Sequence, residues 1–303
     1  MPNLIEKMSR MTFGVELEVI LPRLEVEPII TGLITKQSIS PGWKVVDDTS
    51  VEGALGDGCE VVSPILSLST EREVDVVCKA LTRWLEQHTP YKAVNRTCGL
   101  HVHIGALNME VKDIIALERW WMLYQELFIC AFGTLKHRLE YYSKRAKGYA
   151  ARMERDIKHE EFVKEFYAYY NHMDGAMTAR RKYARPRYST LNIHSVLYRG
   201  TVEFRLFNGT INPSKIGAYV RFCMAAVIKA RECKCAKNKS GATQDAVAGI
   251  DNLKYRMRCV LLKLGFVGDE WKDVREVLLS RVKGDAAYKG GRITKKDISE
   301  ITE

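Results

Sequence analysis

An α+β fold, with an antiparallel sheet backed by helices, follows from three features of the sequence. The segments FGVELEV, GLHVHIG and TVEFRLFN alternate apolar and polar residues, as strands with one buried face do. Between them run longer segments whose apolar residues recur at helical spacing, such as Val74, Val77, Leu81 and Leu85. Glycines in GDGCEVV mark a tight turn between neighbouring strand-like runs, which favours antiparallel pairing.

Taken in order, the stretch TFGVELEVILP places Phe13, Val15, Leu17 and Val19 on one strand face and Thr12, Gly14, Glu16 and Glu18 on the other. EVEPIITGLIT is expected as a short helix. GWKVVDDTSVEG reads as a strand running into a turn, and GDGCEVVSPIL as a second short strand. In the helix that follows, Thr70 and Glu73 fit a capping box. GLHVHIG is again strand-like and leads into a long helix from Val111 to Phe132. Residues 136–187 are basic and tyrosine-rich and predict helices joined by mobile loops; Tyr141, Tyr142, Tyr167, Tyr169 and Tyr170 are assigned to packing in preference to base stacking. RYSTLNIHSV and GTVEFRLFNGT are expected to pair as strands around a turn at Tyr198-Arg199-Gly200, before a helix through Tyr219 to Ala230. All the strands precede Ala236. The organisation expected is therefore a main domain, 1–235, and a basic, mostly helical C-terminal extension, 236–303, that is removable without unfolding the sheet.

A chain of 303 residues with 46% hydrophobic and 28% charged residues can bury a sizeable core, which excludes a wholly disordered or fibrous protein. The formal net charge of +10 points to a polyanionic partner, whether nucleic acid, a nucleotide or an acidic surface. No apolar run approaches the length needed to cross a bilayer and the amino terminus lacks an apolar leader core, so a cytoplasmic protein with no membrane partner is expected. Eight cysteines show no paired zinc-type spacing. Buried free thiols are expected, and Cys233-Lys-Cys235 alone is too sparse for a metal site.

Three strands repeat one device. Glu16 and Glu18, His101 and His103, and Glu203 and Arg205 each occupy the polar face of an otherwise apolar strand. Burying like charges side by side without a partner costs several kcal/mol. If the strands are neighbours, the six groups converge on one cleft, with Glu60 as a seventh. Carboxylates and imidazoles without thiolates suit a hard divalent cation such as Mg²⁺ or Mn²⁺ better than zinc, and Arg205 can neutralise charge on a phosphoryl group in transfer.

These residues resemble a known family. FGVELEV, DDTSVEG with CEVVSPIL, CGLHVHIG, and LNIHSV with TVEFRLFNGT are similar, in order from about residue 12 to 212, to the successive motifs of the amidoligases, carboxylate-amine ligases related to glutamine synthetase and glutamate-cysteine ligase. The resemblance implies a glutamine synthetase-like curved antiparallel sheet whose concave face holds divalent metals and ATP, with 1–235 as the catalytic domain. It implies that Glu18 and Glu60 serve one metal, while Glu16, His101 and Glu203 serve another bridging the nucleotide phosphates. By the same resemblance His103 lies near the phosphates, Arg205 contacts the transferred phosphoryl group, and Arg187 and Asn192 are candidates for holding phosphate or orienting the ligand. Asp48 and Glu52, near the mouth, are candidates to hold or deprotonate the amine.

The expected activity is ATP-dependent formation of an amide or isopeptide bond between small-molecule or peptide substrates through an acyl phosphate. The rival is a nucleic-acid-binding protein or metal-dependent nuclease, resting on the net charge, the HxH pair and the carboxylates. A ligase fold kept only as a binding module is the third reading, and the intact set Glu16, Glu18, Glu60, His101, Glu203 and Arg205 argues against it.

Overall fold

The structure, a computed structural model, describes residues 3–53, 56–88, 92–171, 174–232 and 252–288. A short helix α1 (Leu4–Met8) precedes β1 (Phe13–Val19), and α2 (Arg23–Thr35) leads to β2 (Lys44–Gly53) and β3 (Gly56–Val62). Helix α3 (Arg72–His88), strand β4 (Gly99–Gly105) and the long helix α4 (Val111–Phe132) follow. Next come α5 (Lys136–Tyr141), α6 (His159–Ala168) and α7 (Gly175–Ala179), with 3-10 turns at Ala150–Arg152 and Arg185–Tyr188. The chain returns through β5 (Leu191–Asn192), α8 (His194–Arg199) and β6 (Thr201–Asn208) to α9 (Pro213–Glu232). The described part of the tail forms α10 (Leu253–Lys263) and α11 (Lys272–Leu279).

The six strands of the described residues join one sheet in the order β2-β3-β1-β4-β6-β5, and every pairing is antiparallel. The three strands that carry paired polar residues are thus adjacent. Their apolar faces bury Val15, Leu17, Leu100, Val102, Val202 and Phe204 against the helices. Trp121 of α4 meets Phe204 edge-on, Phe128 meets Phe222 of α9, and Phe207 stacks on Tyr219. Fully burying each such ring is worth about 1.5–3 kcal/mol, so this aromatic layer holds the sheet on its helices. Between Leu100 and Val102 the register with β6 slips by one residue, pairing Leu100 with Phe207 and Val102 with Phe204. That bulge, beside the Arg205 position, lets Leu206 and Phe207 both enter the core.

Two sequence expectations need correction. The Thr70–Glu73 capping box is absent: the Thr70 hydroxyl accepts from the Ser67 amide, and one Glu73 carboxylate oxygen accepts from the Ser40 amide, the Ser40 hydroxyl and the Trp43 indole. Glu73 therefore ties α3 to the entry of β2. LNIHSV is a strand for two residues only, then becomes α8. Asn192 Oδ1 accepts from the Ser195 amide at 3.2 Å, and Gly200 ends the helix at φ 71°, a left-handed conformation that glycine adopts without a Cβ clash. The described part of the tail packs against the core. Met257, Val260, Leu261, Phe266, Trp271, Leu278 and Leu279 belong to the same apolar cluster as the sheet, because the apolar stripes of α10 and α11 pack on α4 and α9.

Among the thiols, burial pushes Cys59 and Cys78 up to about 12 and Cys98 to about 11, leaving them unreactive packing groups. Cys233-Lys-Cys235 and the loop KNKSGATQD lie outside the described residues.

One buried carboxyl on the helix layer sets a pH dependence. Glu118 of α4 is 2% exposed and accepts from the Ala151 amide at 2.8 Å; burial pushes it up to about 7, with the backbone amides of Ala151 and Ala150 opposing. Below the ordinary carboxylate range both folded and unfolded chains carry the proton. As pH rises through that range to about 7, the unfolded chain ionises first, so the folded state loses relative stability, and above about 7 the loss is complete. Glu118→Gln removes this term. The variant's stability minus the wild type's is expected to grow by about 3 kcal/mol between pH 4 and pH 8, read from urea melts at both values; a difference that does not change with pH sinks the assignment.

Candidate active site

Antiparallel pairing sets Glu16 opposite His101, Glu18 opposite Glu60, and His103 opposite Glu203. Alternation does the rest, since each residue shares the face away from the helices. Glu16, Glu18, His101, His103, Glu203 and Arg205 are all buried, and Glu60 is partly so.

His101 is the hub. Its Nδ1 lies 3.1 Å from Glu16 Oε2, 3.7 Å from Glu60 and 3.9 Å from Glu203, and its Nε2 lies 3.1 Å from Glu18 Oε1. His103 Nε2 faces Glu16 at 3.3 Å and Glu203 at 3.9 Å, while its Nδ1 meets the Thr201 hydroxyl, itself paired with Ser195. Arg205 Nη1 donates to Glu203 Oε1 at 2.5 Å, and Asn192 Nδ2 donates to Glu203 Oε2 at 2.6 Å.

Four carboxylates in so small a volume demand positive charge. Burial alone works against charge on every one of these groups; at His101, Arg205 works the same way, yet Glu18, Glu16 and Glu60 outweigh both and raise the imidazole to about 9. His103 is likewise raised despite its burial, by Glu16 and Glu203. Against burial, His103 and His101 hold Glu16 well below the usual carboxylate range, and Arg205 holds Glu203 at about 2. Glu60 moves the other way, raised by burial and by the charge on Glu16.

Two donor sets emerge, Glu16 with His101 and Glu203, and Glu18 with Glu60 and His101; in each, the ligand atoms lie within 4.8 Å of one another. Among the described residues, the buried Nε2 atoms of His101 and His103 have no aligned hydrogen-bond partner, the 3.1 Å approach of Glu18 notwithstanding. Oxygen-rich donors with unsatisfied imidazole nitrogens fit a hard divalent cation, which would replace the imidazolium protons as the positive charge.

Two arginines escaped the sequence reading. Arg199, at the end of α8, donates to Glu16 Oε1 at 3.0 Å. Arg138 of α5 is wholly buried; it donates to the Thr97 and Arg205 carbonyls and lies 3.7 Å from Glu18, whose Oε2 also accepts from the Gly99 amide at 2.5 Å. Neither had a periodic or motif signal to mark it.

The remaining candidates stand farther out. Arg187 and Lys182 line a small space together with Glu16, Asn192, Arg199 and Glu203. Asp48 accepts from the Ser50 amide and hydroxyl, and Glu52 is exposed; among the described residues neither pairs with the His101 cluster. Both, with Glu18, act on Tyr142, whose phenol is raised by burial first and then by those carboxylates. Both lie on β2, an edge strand of the sheet.

A family model described as "Putative amidoligase enzyme" matches residues 9–227, which include every strand. A solved structure titled "Apo GmaS without ligand" aligns with a TM-score of 0.47 and 13% identity, covering 99% of this chain and 76% of that one. No curated protein matches the chain. Among the described residues no helix is long and apolar enough to cross a membrane.

Proposed function

The chain belongs to the amidoligase family and is thereby a ligase, and from that premise we propose that it joins a carboxylate to an amine at the expense of ATP. The observation that carries this reading is the convergence of Glu16, Glu18, Glu60, His101 and Glu203 with Arg205 on strands that lie inside the family match.

A carboxylate is a poor acyl donor because its leaving group would be oxide. Transfer of the terminal phosphoryl group of ATP to a carboxylate oxygen gives an acyl phosphate and releases ADP. The amine nitrogen then attacks the acyl carbon, its proton leaves, and phosphate departs as the amide forms. Glu16, His101 and Glu203 would hold one Mg²⁺ or Mn²⁺ and Glu18 with Glu60 another, and such ions neutralise charge on the triphosphate. Arg205 Nη1 is committed to Glu203, but among the described residues its buried Nε has no partner, which supports its donating to a phosphoryl oxygen in transfer. His103, Asn192 and Arg187 would orient the phosphates. Asp48 or Glu52 on β2 would hold the amine and take up its proton.

Carboxylates facing a triphosphate repel it until a cation lies between them. ATP binding measured by calorimetry in EDTA is therefore expected to be at least about tenfold weaker than in Mg²⁺; equal affinities would end the metal assignment. Incubation with ATP, Mg²⁺ and mixed small-molecule and peptide carboxylate and amine pools should release phosphate and yield new amide masses. Phosphate release without any amide mass would contradict ligation.

A further inference from the structure

We propose that the surface from Arg180 to Tyr188 binds a single-stranded polynucleotide and lays it along the entrance to the carboxylate cluster. From Gly175 to Val202 the chain carries six Lys and Arg residues and no Asp or Glu. Among the described residues, only Arg199 of these reaches a carboxylate, Glu16. Arg180, Arg181, Lys182 and Arg185 are exposed, and among the described residues none of them forms an ion pair. A solvated face ordinarily interleaves both signs, so exposed cations that pair with no carboxylate lower their mutual repulsion by taking up an anion.

Two further observations narrow the partner. Tyr183 is 69% exposed and Tyr188 38%, and the Arg187 guanidinium lies 4.9 Å and 5.9 Å from their ring centres, with Lys182 5.1 Å from Tyr183. Cations interleaved with exposed aromatic rings are what phosphates and unpaired bases require together; an acidic peptide would use the cations and leave the rings idle. The surface is also held in shape. The buried His194 ring meets the Arg181 carbonyl at 2.8 Å, the Lys144 amide donates to the Tyr188 carbonyl at 2.8 Å, and Ala184 and Pro186 are buried beneath.

Its position gives it a purpose. Lys182 and Arg187 line the same small space as Glu16, Asn192 and Glu203. A strand bound here would bring a group attached to a base or a chain end to the cleft, as carrier of the carboxylate or the amine. That delivery rests on the ligase reading; the binding does not.

Fluorescence anisotropy of the full chain with labelled oligothymidylate and oligouridylate tests the binding. Neutralised phosphates contribute roughly −0.7 each to the salt slope for single strands, so Arg180→Ala/Arg181→Ala/Arg185→Ala is expected to flatten the slope by about 2. Tyr183→Ala should weaken binding about tenfold with the slope unchanged, whereas Tyr141→Ala, at an equally open tyrosine elsewhere, should have no effect. Preference for oligouridylate or for oligothymidylate decides between RNA and DNA, and either supports the proposal. Absence of binding, equal competition by polyglutamate of matched charge, or an unaffected Tyr183 variant overturns it. Arg205→Met should leave oligonucleotide affinity intact whatever it does to ligation, so failure of the ligase reading and failure of this one are told apart.

Discussion

Arg205→Met is expected to lower turnover, followed as phosphate release, by about 10²- to 10³-fold, the loss typical of removing one preorganised donor aimed at charge that develops in the transition state. The alternative is an intrastrand ion pair with Glu203, 2.5 Å away. Burial makes that alternative testable in an unusual way. An exposed pair would be worth about 0–1 kcal/mol, but Arg205 and Glu203 are each 5% exposed, and stripping one partner from a buried pair costs about 3–5 kcal/mol. Arg205→Met should therefore also lower the melting temperature in EDTA, moderated by the hydrogen bond from Asn192 to Glu203. A divalent cation on Glu203 supplies the missing charge, so added Mg²⁺ should recover much of that loss without recovering turnover. Arg205→Lys separates the roles further. It keeps a charge for Glu203 and should melt near the wild type, yet it lacks the planar fork with its unpartnered Nε and should stay slow. If the lysine variant turns over normally, or if the methionine variant does, Arg205 serves only the ion pair.

Much of the sheet was legible because period-two alternation is a local signal. Glu16, Glu18, His101, His103, Glu203 and Arg205 could be assigned a common face from their own strands, and adjacency of those strands was a short step from their shared pattern. Errors arose where a local pattern had two solutions. LNIHSV alternates well enough to pass as a strand, but Asn192 and Gly200 are also helix-end signals, and tertiary packing selects the helix. Thr70 and Glu73 have capping-box spacing, yet Glu73 gains three donors from residues 40–43, a contact no local rule contains. Arg138 and Arg199 were illegible for a related reason. Each lies in a stretch rich in Lys and Arg, and only pairing with Glu18, 120 positions away, or with Glu16, 183 positions away, gives either a role. The apolar stripes of α10 and α11 gain their place only by packing on α4 and α9, a contact that no local pattern contains.

Gly99→Ala is expected to damage fold and metal binding together, by a route that can be isolated. A Cβ at Gly99 would overlap the Arg138 guanidinium. Arg138 has no room to retreat: it is 0% exposed and donates to the carbonyls of Thr97 and Arg205. Glu18 is held from the same two sides, by the Gly99 amide and by the Arg138 charge. The added methyl must therefore shift a buried cation, a backbone donor or both, and overpacking of this kind costs about 3 kcal/mol. Displacing Glu18 spoils one donor set, so Mn²⁺ affinity should fall by about tenfold or more, on the scale of losing support for a metal ligand. Arg138→Met alone removes the guanidinium and leaves Glu18 and two carbonyls short of donors, which is destabilising for a different reason. The double variant decides between steric and merely local effects. With the guanidinium gone the methyl has space, so Gly99→Ala should cost little more once Arg138 is methionine, a coupling of about 2–3 kcal/mol in the four-protein cycle. Mn²⁺ affinity should stay low in the double variant, because relieving the overlap does not restore the charge that steadies Glu18. Strictly additive melting free energies would show that Gly99 and Arg138 do not meet, and wild-type Mn²⁺ affinity in Gly99→Ala would remove Glu18 from the metal site.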